Sequence, residues 1–435
     1  MAEQWRAPSW TQLHRMGQLR LEVEAGLHNP HYTVRAERVR PQLDWHRLAD
    51  AWQRVQAAHP VLGSRFDLAA GLWSVPEEGS TAQPPLLTDT ESFTAALVRP
   101  FDYRSGPVAR LVIADETGES LVGLAIEHLV SDGWTLSTVW HDLVSAYAGA
   151  PVARETGFVG YVADQHRMLQ QPETELRVER VRDTLAAVGG AIPALALPAP
   201  DPAAGIASAL VKGEFRQSVP QATWQDVAEA ARRNRLSAPN ILLAAFHAAL
   251  AGLTGQPAVG STLTLANRLR AGDRGAAGWY AGKLTVPADT TDADTDPARY
   301  LRGWQQGLWQ ALDSSDIPWA YLLHRFNPDQ FGRFTAIPFA TFNFQPETMH
   351  AGQPTRWPEA DSITPVPVGT GSRDAALATF WLERDTGVEV LWEHRVDVLP
   401  PARVAELWSC FSQALDQLRR AGCPPGDPVT GQAAR

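Results

Sequence analysis

Apolar positions along this chain fall into two periods, one helical and one alternating or continuous. From Leu43 to Ala58 the residues Leu43, Leu48, Ala51, Trp52 and Val55 recur at helical spacing. His59-Pro60 ends that pattern, because a residue before proline is pushed out of the α region. Strand-like runs follow around Ala109 to Ile113 and from Ser120 to His128, separated by the turn-forming Glu116-Thr117-Gly118-Glu119, and predict a hairpin. The second run is apolar on both faces, with Leu121 and Ala125 on one side and Val122, Leu124 and Ile126 on the other, as in a central strand. After Gly133 the residues Leu136, Val139, Trp140, Leu143, Val144 and Tyr147 return to helical spacing. The segment Glu127-His128-Leu129-Val130-Ser131-Asp132-Gly133 is therefore a loop from a buried strand to a helix.

Between Val188 and Ala207 the composition shifts to Gly, Ala, Pro and Leu with almost no charge and no period, which predicts an interdomain linker. Beyond it the pattern predicts helices around Trp224 to Arg233 and Pro239 to Leu253, and a strand from Ala258 to Leu265. Further strands are expected over Phe339 to Phe344, Ala376 to Glu383 and Val388 to Glu393, then a closing helix from about Pro401 to Arg420. A chain of 435 residues exceeds the usual single core. The expected organisation is two mixed α/β domains, 1–187 and 208–435, joined by 188–207, with a Pro- and Gly-rich tail after Cys423 that frays.

Composition narrows the partners. The hydrophobic share of 44% and charged share of 20% are those of a soluble globular protein. A formal charge of -10 and a pI near 5.7, with no run of Lys or Arg, argue against nucleic acid. Lys212 and Lys283 are the sole lysines in an arginine-rich chain, a hint of a bacterial genome rich in G and C. Cys410 and Cys423 form no close CxxC pair and no zinc spacing, so a reduced protein without a structural metal is expected. The N-terminus lacks a signal pattern and no stretch of about 18 uninterrupted apolar residues is available to span a bilayer. The expectation is a cytoplasmic monomer with no membrane partner.

The chemistry of the loop rests on His128. An imidazole near its ordinary pKa of about 6.5 can accept or orient the proton of an amine or hydroxyl as it attacks a thioester, with no covalent intermediate. Asp132 is expected to fix the loop through an arginine or backbone amides. Gly133 is expected to let the backbone turn tightly and a long substrate arm pass. A His-x-x-x-Asp-Gly string alone occurs in many unrelated proteins, and on spacing alone His128 reads better as a satisfied core histidine than as a catalytic one.

Context separates those readings. Pro100-Phe101-Asp102, Gly106-Pro107-Val108-Ala109-Arg110-Leu111 and Ile126 through Trp134 resemble, in order and spacing, the condensation domains of nonribosomal peptide synthetases, which belong with chloramphenicol acetyltransferase. Further matches are His59-Pro60-Val61-Leu62 before Arg65-Phe66, Ala266-Asn267-Arg268 before Gly278-Trp279-Tyr280, Asp316-Ile317-Pro318-Trp319 and Phe342-Asn343-Phe344-Gln345. The resemblance implies an α/β (α+β) fold of two acetyltransferase-like lobes in a V, mixed sheets flanked by helices, and a central tunnel. It also implies donor and acceptor substrates on the phosphopantetheine arms of acyl or peptidyl carrier proteins, entering from opposite faces, with no permanently bound cofactor. The second histidine of the family's His-His-x-x-x-Asp-Gly motif corresponds to His128.

Several positions depart from that pattern. The first motif histidine is Glu127, which places a negative charge beside the site, or on the strand's opposite face if alternation holds. The arginines expected beside His59 are absent, leaving Arg65 or Arg268 as the partner of Asp132. The asparagine expected after the Gly-aromatic-aromatic run is Gly282. Trp134, Trp279 and Tyr280 either line the tunnel or pack a core, since 16 tryptophans cannot all be functional. Asn343 is expected to face the tunnel or to pack in its strand, and Glu127 to be a solvated or hydrogen-bonded strand residue or a substrate contact. His141 and His247 read as packing or surface residues and Cys410 as core.

Three functions follow as expectations. The first is a free-standing condensation enzyme acting in trans, since no Gly-x-Asp-Ser attachment site is found, joining a carrier-bound acyl or aminoacyl donor to a small-molecule amine or hydroxyl acceptor. The second is an acyltransferase using a coenzyme A thioester. The third is a catalytically silent scaffold recruiting a carrier protein or tailoring enzyme.

Overall fold

In the computed structural model the described residues are 4–76, 83–154, 156–198, 207, 210–346, 356–371 and 375–421. The first half begins with helix α1 (Trp10–Glu24), strand β1 (Tyr32–Arg40) and helix α2 (Trp45–Ala58), then the short strands β2 (Arg65–Asp67), β3 (Leu72–Ser74) and β4 (Leu86–Thr88). It continues through α3 (Phe93–Val98), the hairpin β5 (Ala109–Glu116) and β6 (Glu119–Glu127), and helices α4 (Gly133–Tyr147), α5 (Gly157–Leu169) and α6 (Pro172–Leu185). The second half runs β7 (Lys212–Pro220), α7 (Gln221–Arg233), α8 (Ala238–Thr254), β8 (Ala258–Leu265), β9 (Gly282–Asp289), α9 (Pro297–Leu312) and α10 (Trp319–Phe326). It closes with β10 (Ala340–Gln345), β11 (Ser362–Pro365), β12 (Leu377–Arg384), β13 (Gly387–Arg395) and α11 (Pro401–Arg420).

Two mixed sheets result. The first has the order β11-β1-β6-β5-β4, antiparallel except for the parallel β4/β5 edge. The second has the order β7-β13-β12-β10-β8-β9, with β10 parallel to both of its neighbours. Strand β6 is central and buried along its whole length, as its sequence predicts. Val122, Leu124 and Ile126 join the main first core, Leu121 and Ala125 the smaller core under α3. Gly123 lies on the latter face because a Cβ there would stand 2.6 Å from a Leu97 methyl and 2.9 Å from the Phe93 ring.

The second sheet is covered by α8, a nearly all-apolar helix whose one buried histidine is satisfied on both nitrogens. The Trp304 indole N–H donates to His247 Nδ1 at 3.0 Å, so the imidazole proton sits on Nε2 and donates to Ser261 Oγ at 2.8 Å. His247 is thus core, and Cys410 packs half-buried against the same cluster.

Where it is described, the segment expected as a linker is packed against its surroundings. Ala191, Ile192 and Leu195 are buried, and the Ala191 carbonyl accepts from the Trp319 indole at 2.9 Å and from Thr285 Oγ1 at 2.6 Å. An uncharged, Pro-rich sequence looks like a tether, yet its apolar residues find a surface to bury on. Residues 199–206 of that segment and the tail from 422 onward, Cys423 included, lie outside the described residues.

The second half also enters the first lobe twice. Ala276, Ala277 and Tyr280 belong to the first core. Trp357 packs edge-on against Trp140 (5.7 Å) and Tyr147 (5.5 Å) while its indole donates to Glu37 Oε2 at 2.9 Å, and β11 then adds to β1. In the reverse direction α1 reaches the second half, where Trp10 meets Tyr321 at 5.0 Å and Phe331 at 5.7 Å. No single helix among the described residues is long and apolar enough to cross a membrane.

Candidate active site

His128 leaves the C-terminal end of β6 in a 3-10 turn, residues His128–Val130, and is half-buried. Its amide donates to the His31 carbonyl at 3.3 Å, and its ring lies 4.7 Å from the His31 ring and 4.4 Å from the Trp279 ring. Ser131 Oγ donates to the Glu127 carbonyl at 3.0 Å and receives the Thr33 hydroxyl at 2.9 Å, closing the turn against β1. The imidazole is therefore held between one aromatic ring from each half of the chain.

Asp132 fixes the loop, with both oxygens committed. Oδ1 accepts from the Thr135 amide at 2.7 Å, capping α4, and from Arg268 Nη2 at 3.0 Å; Oδ2 accepts from the amides of Tyr280 (3.1 Å) and Ala281 (3.0 Å). The pair is buried, with side-chain exposures of 2% for Arg268 and 5% for Asp132. Arg268 also donates to the carbonyls of Ala276 (2.7 Å) and Asp273 and to Thr135 Oγ1 (2.8 Å). Asn267, at φ 54°, makes the left-handed turn that aims this arginine inward.

These contacts decide between the sequence alternatives. Arg268, not Arg65, pairs with Asp132; Arg65 is exposed on β2 with its Cγ near Gly106. Trp279 faces His128. Tyr280 instead packs in the first core at 1% exposure, against Phe158 (5.2 Å) and Tyr161 (4.8 Å). Trp134 clamps the entering loop through its indole, which donates to the Arg274 carbonyl at 2.9 Å. Asn343 is half-buried on β10, in register with Phe380 of β12. Gly133 makes no tight turn: it is the first residue of α4, and a Cβ there would meet nothing within 4 Å. Its lack of a side chain leaves the space before the helix open.

Glu127 is not solvated. It shares strand parity with Leu121 and Ala125, is fully buried, and accepts from the Tyr103 hydroxyl at 2.9 Å through Oε2. Burial pushes its carboxyl up to about 7 despite the opposing pull of Arg15 and Tyr103. Arg15 and Glu22 of α1 form a buried pair at 2.6 Å, and burial, which opposes the Arg15 charge, is outweighed by the Glu22 and Glu127 carboxylates, which hold its pKa above the ordinary arginine value.

Helix α1 went unread in the sequence, and the reason is physical. Gln12, His14, Arg15, Gln18 and Glu22 make a polar stripe that resembles a solvent face, yet all five are buried. Gln12 Nε2 donates to the Leu129 carbonyl at 2.8 Å, His14 Nδ1 accepts from the Gly332 amide at 2.9 Å, and Gln18 donates to the Arg333 carbonyl at 3.1 Å. Polar residues at helical spacing carry no signal that they face protein rather than water.

These buried groups predict a pH response. Burial lowers His14 to about 3, with Lys283 and Arg15 adding to the shift, and burial alone lowers His247 to about 3. Between about pH 6.5 and about pH 3 the unfolded chain binds two protons that the folded one refuses, so stability falls as pH falls through that window. Glu127 acts oppositely between about 4.5 and about 7, where the folded state keeps a proton the unfolded chain releases. Two histidines outweigh one carboxyl, so the urea midpoint is expected to drop from about pH 6.5 to about pH 4.5, and less steeply in His247→Gln. An unchanged slope in that variant would contradict the assignment.

A half-buried imidazole held by two rings, beside open space and a charge-locked loop, suits proton handling during acyl transfer; among the described residues no cluster of His, Cys, Asp or Glu could hold a metal. The family model for the condensation domain matches residues 26–362. The chain belongs to the condensation domain family. This condensation domain is 25% identical over 383 residues to a linear gramicidin synthase of Brevibacillus parabrevis, covering 84% of the chain but 5% of that protein's length. In fold it is similar to the X-domain from teicoplanin biosynthesis, at TM-score 0.78 and 18% identity over 96% of this chain and 95% of the other, a domain also solved in complex with OxyB. It is likewise similar to the condensation domain of the monacolin K polyketide synthase MokA, at TM-score 0.76 and 14% identity over 96% and 97% of the two chains. These likenesses show that the chain shares its overall fold with both domains.

Proposed function

We propose that this condensation domain joins a thioester-bound acyl or aminoacyl donor, carried on the phosphopantetheine arm of a carrier protein, to an amine or hydroxyl acceptor in natural-product biosynthesis. The observation that carries the reading is His128, half-buried between His31 and Trp279 at the end of the central strand. The nucleophile attacks the thioester carbonyl, a C–N or C–O bond forms, and the C–S bond breaks. The nucleophile's proton passes by way of the imidazole to the departing thiolate. Asp132 and Arg268 act only through the loop.

A cavity of about 360 Å³ is the candidate entry for a pantetheine arm. It lies between Leu13, Met16 and Arg20 of α1, the Leu68 to Gly71 turn, and Phe331 and Arg333. Gly17 lets the walls meet, since a Cβ there would stand 2.5 Å from Gly332 Cα. Apolar walls with two arginines suit a pantetheine chain and its phosphate.

The test offers one acyl group on a carrier protein, on coenzyme A and on a short synthetic thioester. Carrier-bound donor is expected to react at least about tenfold faster than the coenzyme A form, since a docked carrier adds binding energy. Arg20→Glu/Arg333→Glu is expected to slow the carrier-dependent reaction and spare the short thioester. Equal rates with coenzyme A would instead establish the acyl-coenzyme A reading. The similarity to a domain solved with OxyB favours one further reading, a scaffold; stable capture of an oxygenase together with no transfer from any donor would replace the proposal with it.

A further inference from the structure

We propose that Glu127 is a positioning residue for His128, a buried carboxyl through which helix α1 and Tyr103 set the placement and protonation of the neighbouring imidazole. This deepens the acyl-transfer reading and rests on it for its consequence, though not for its physical basis.

The geometry begins with a buried carboxyl that, among the described residues, forms no ion pair of its own. Glu127 has no solvent exposure; Oε2 receives the Tyr103 hydroxyl at 2.9 Å, while Oε1 is buried with no hydrogen bond of good geometry among the described residues, the Leu129 amide being the backbone donor directed at the carboxyl. The nearby cation, Arg15, is already committed to Glu22 through two hydrogen bonds, at 2.6 Å and 3.3 Å. Arg15 is thus balanced by Glu22, and Arg110, the other cation facing the carboxyl, is bonded to backbone carbonyls, so neither forms an ion pair with Glu127. A buried anion without a directly paired counterion is costly, and a proton on Glu127 removes that cost.

The groups facing this carboxyl come from every surrounding element. Arg15 and Glu22 belong to α1, Tyr32 to β1, Tyr103 to the loop before β5, and Arg110 to β5. Tyr32 and Tyr103 are held neutral, since burial and then the Glu127 charge raise both phenols above their ordinary value. Arg110, lowered to about 10 by burial, stays charged at neutral pH and is engaged with the carbonyls of Ala96, Arg99 and Pro100. Among these groups Glu127, at about 7, is the one whose charge changes near neutral pH.

The connection to His128 is covalent and short. The Glu127 amide donates to the Val108 carbonyl at 2.8 Å, its carbonyl receives Ser131 Oγ, and the next residue is His128. Two residues on, Gln12 of the same α1 holds the Leu129 carbonyl. The helix therefore acts on the turn on both sides of the imidazole, once through a hydrogen bond and once through the field of Arg15 at Glu127. Ionisation of a carboxyl on the adjacent residue stabilises the imidazolium and pulls toward Arg15.

The experiment follows the His128 ring by NMR in isotope-labelled full-length protein across about pH 5.5 to about pH 8.5, using His128→Gln for assignment. In the parent protein the curve is expected to deviate from a single-site titration, because Glu127 titrates in the same range. In Glu127→Gln the inflection contributed by the carboxyl is expected to disappear and the midpoint to fall by about half a unit or more, any coupling to the His31 ring at 4.7 Å being common to both proteins. Should that variant fold poorly, Tyr103→Phe removes one hydrogen bond from the carboxyl and is expected to move the coupled inflection to higher pH. Superimposable curves for parent and Glu127→Gln, or an unmoved inflection in Tyr103→Phe, would overturn the proposal. Where donors are in hand, Glu127→Gln is expected to lose one limb of the kcat profile with KM within about twofold. The NMR arm needs no substrate, so a failure of the acyl-transfer reading leaves its outcome intact.

Discussion

Alanine in place of His128 is expected to lower turnover by roughly 10²- to 10⁴-fold, the usual contribution of a positioned acid or base. The residue is half-buried and outside both sheets, so the loss of ring contacts with His31 and Trp279 is worth about 1 kcal/mol and shifts the melting temperature by only a few degrees. Single-turnover rates with excess enzyme separate the chemical step from binding, and KM for the donor is expected to stay within about twofold. Retention of half the parent rate by a folded His128→Ala protein would remove the imidazole from the reaction. Trp279→Ala is informative beside it, because that ring orients His128 without exchanging protons.

The largest stability loss is expected at Asp132. Alanine there leaves Arg268 with a buried, uncompensated charge, at a cost of about 3–5 kcal/mol, and three amide donors without an acceptor. Asparagine is expected to be nearly as damaging. Each carboxylate oxygen accepts two donors, so an Asn side chain must point its NH₂ at N–H groups whichever way it is turned. Adding Arg268→Met to Asp132→Ala is expected to cost less than the sum of the single changes by about 1–3 kcal/mol, measured as urea midpoints in a double-mutant cycle. Strict additivity would show that the pair is not coupled. Activity should fall with each variant as well, since the Tyr280 and Ala281 amides that Asp132 holds follow directly on Trp279.

The elements that bury apolar residues at a fixed period were readable. The spans Ala258–Leu265 and Pro401–Arg420 agree with the predicted strand and helix, and the assignment of Val122, Leu124 and Ile126 to one face of β6 agrees with the core. What escaped was burial of polar groups. Helix α1 hides Arg15 and Glu22 against each other, and β1, with Arg35, Glu37, Arg38 and Arg40, is a charged string whose Glu37 is sealed under Trp357. Glu37 and Trp357 lie 320 positions apart, beyond any local period, and Arg15 and Glu22, two helical turns apart, share a face whose period does not say whether it meets water or protein. Likewise the His-x-x-x-Asp-Gly loop was legible as a loop, and its choice of Arg268 over Arg65 was not, because the partner arrives from 136 residues away. His31 carried no signal at all, standing in an irregular stretch before β1.

The two excursions of the second half into the first lobe bear on how such domains can be recombined. A crossover placed in the uncharged stretch near residue 190 looks natural from composition, yet it would hand the first lobe an unmatched Asp132 and an open side of β1. The 268–281 loop and the 356–366 segment belong, by what they touch, to the lobe that precedes them. In a shuffled domain the unit of inheritance is therefore discontinuous: whoever donates the histidine loop must also donate its arginine.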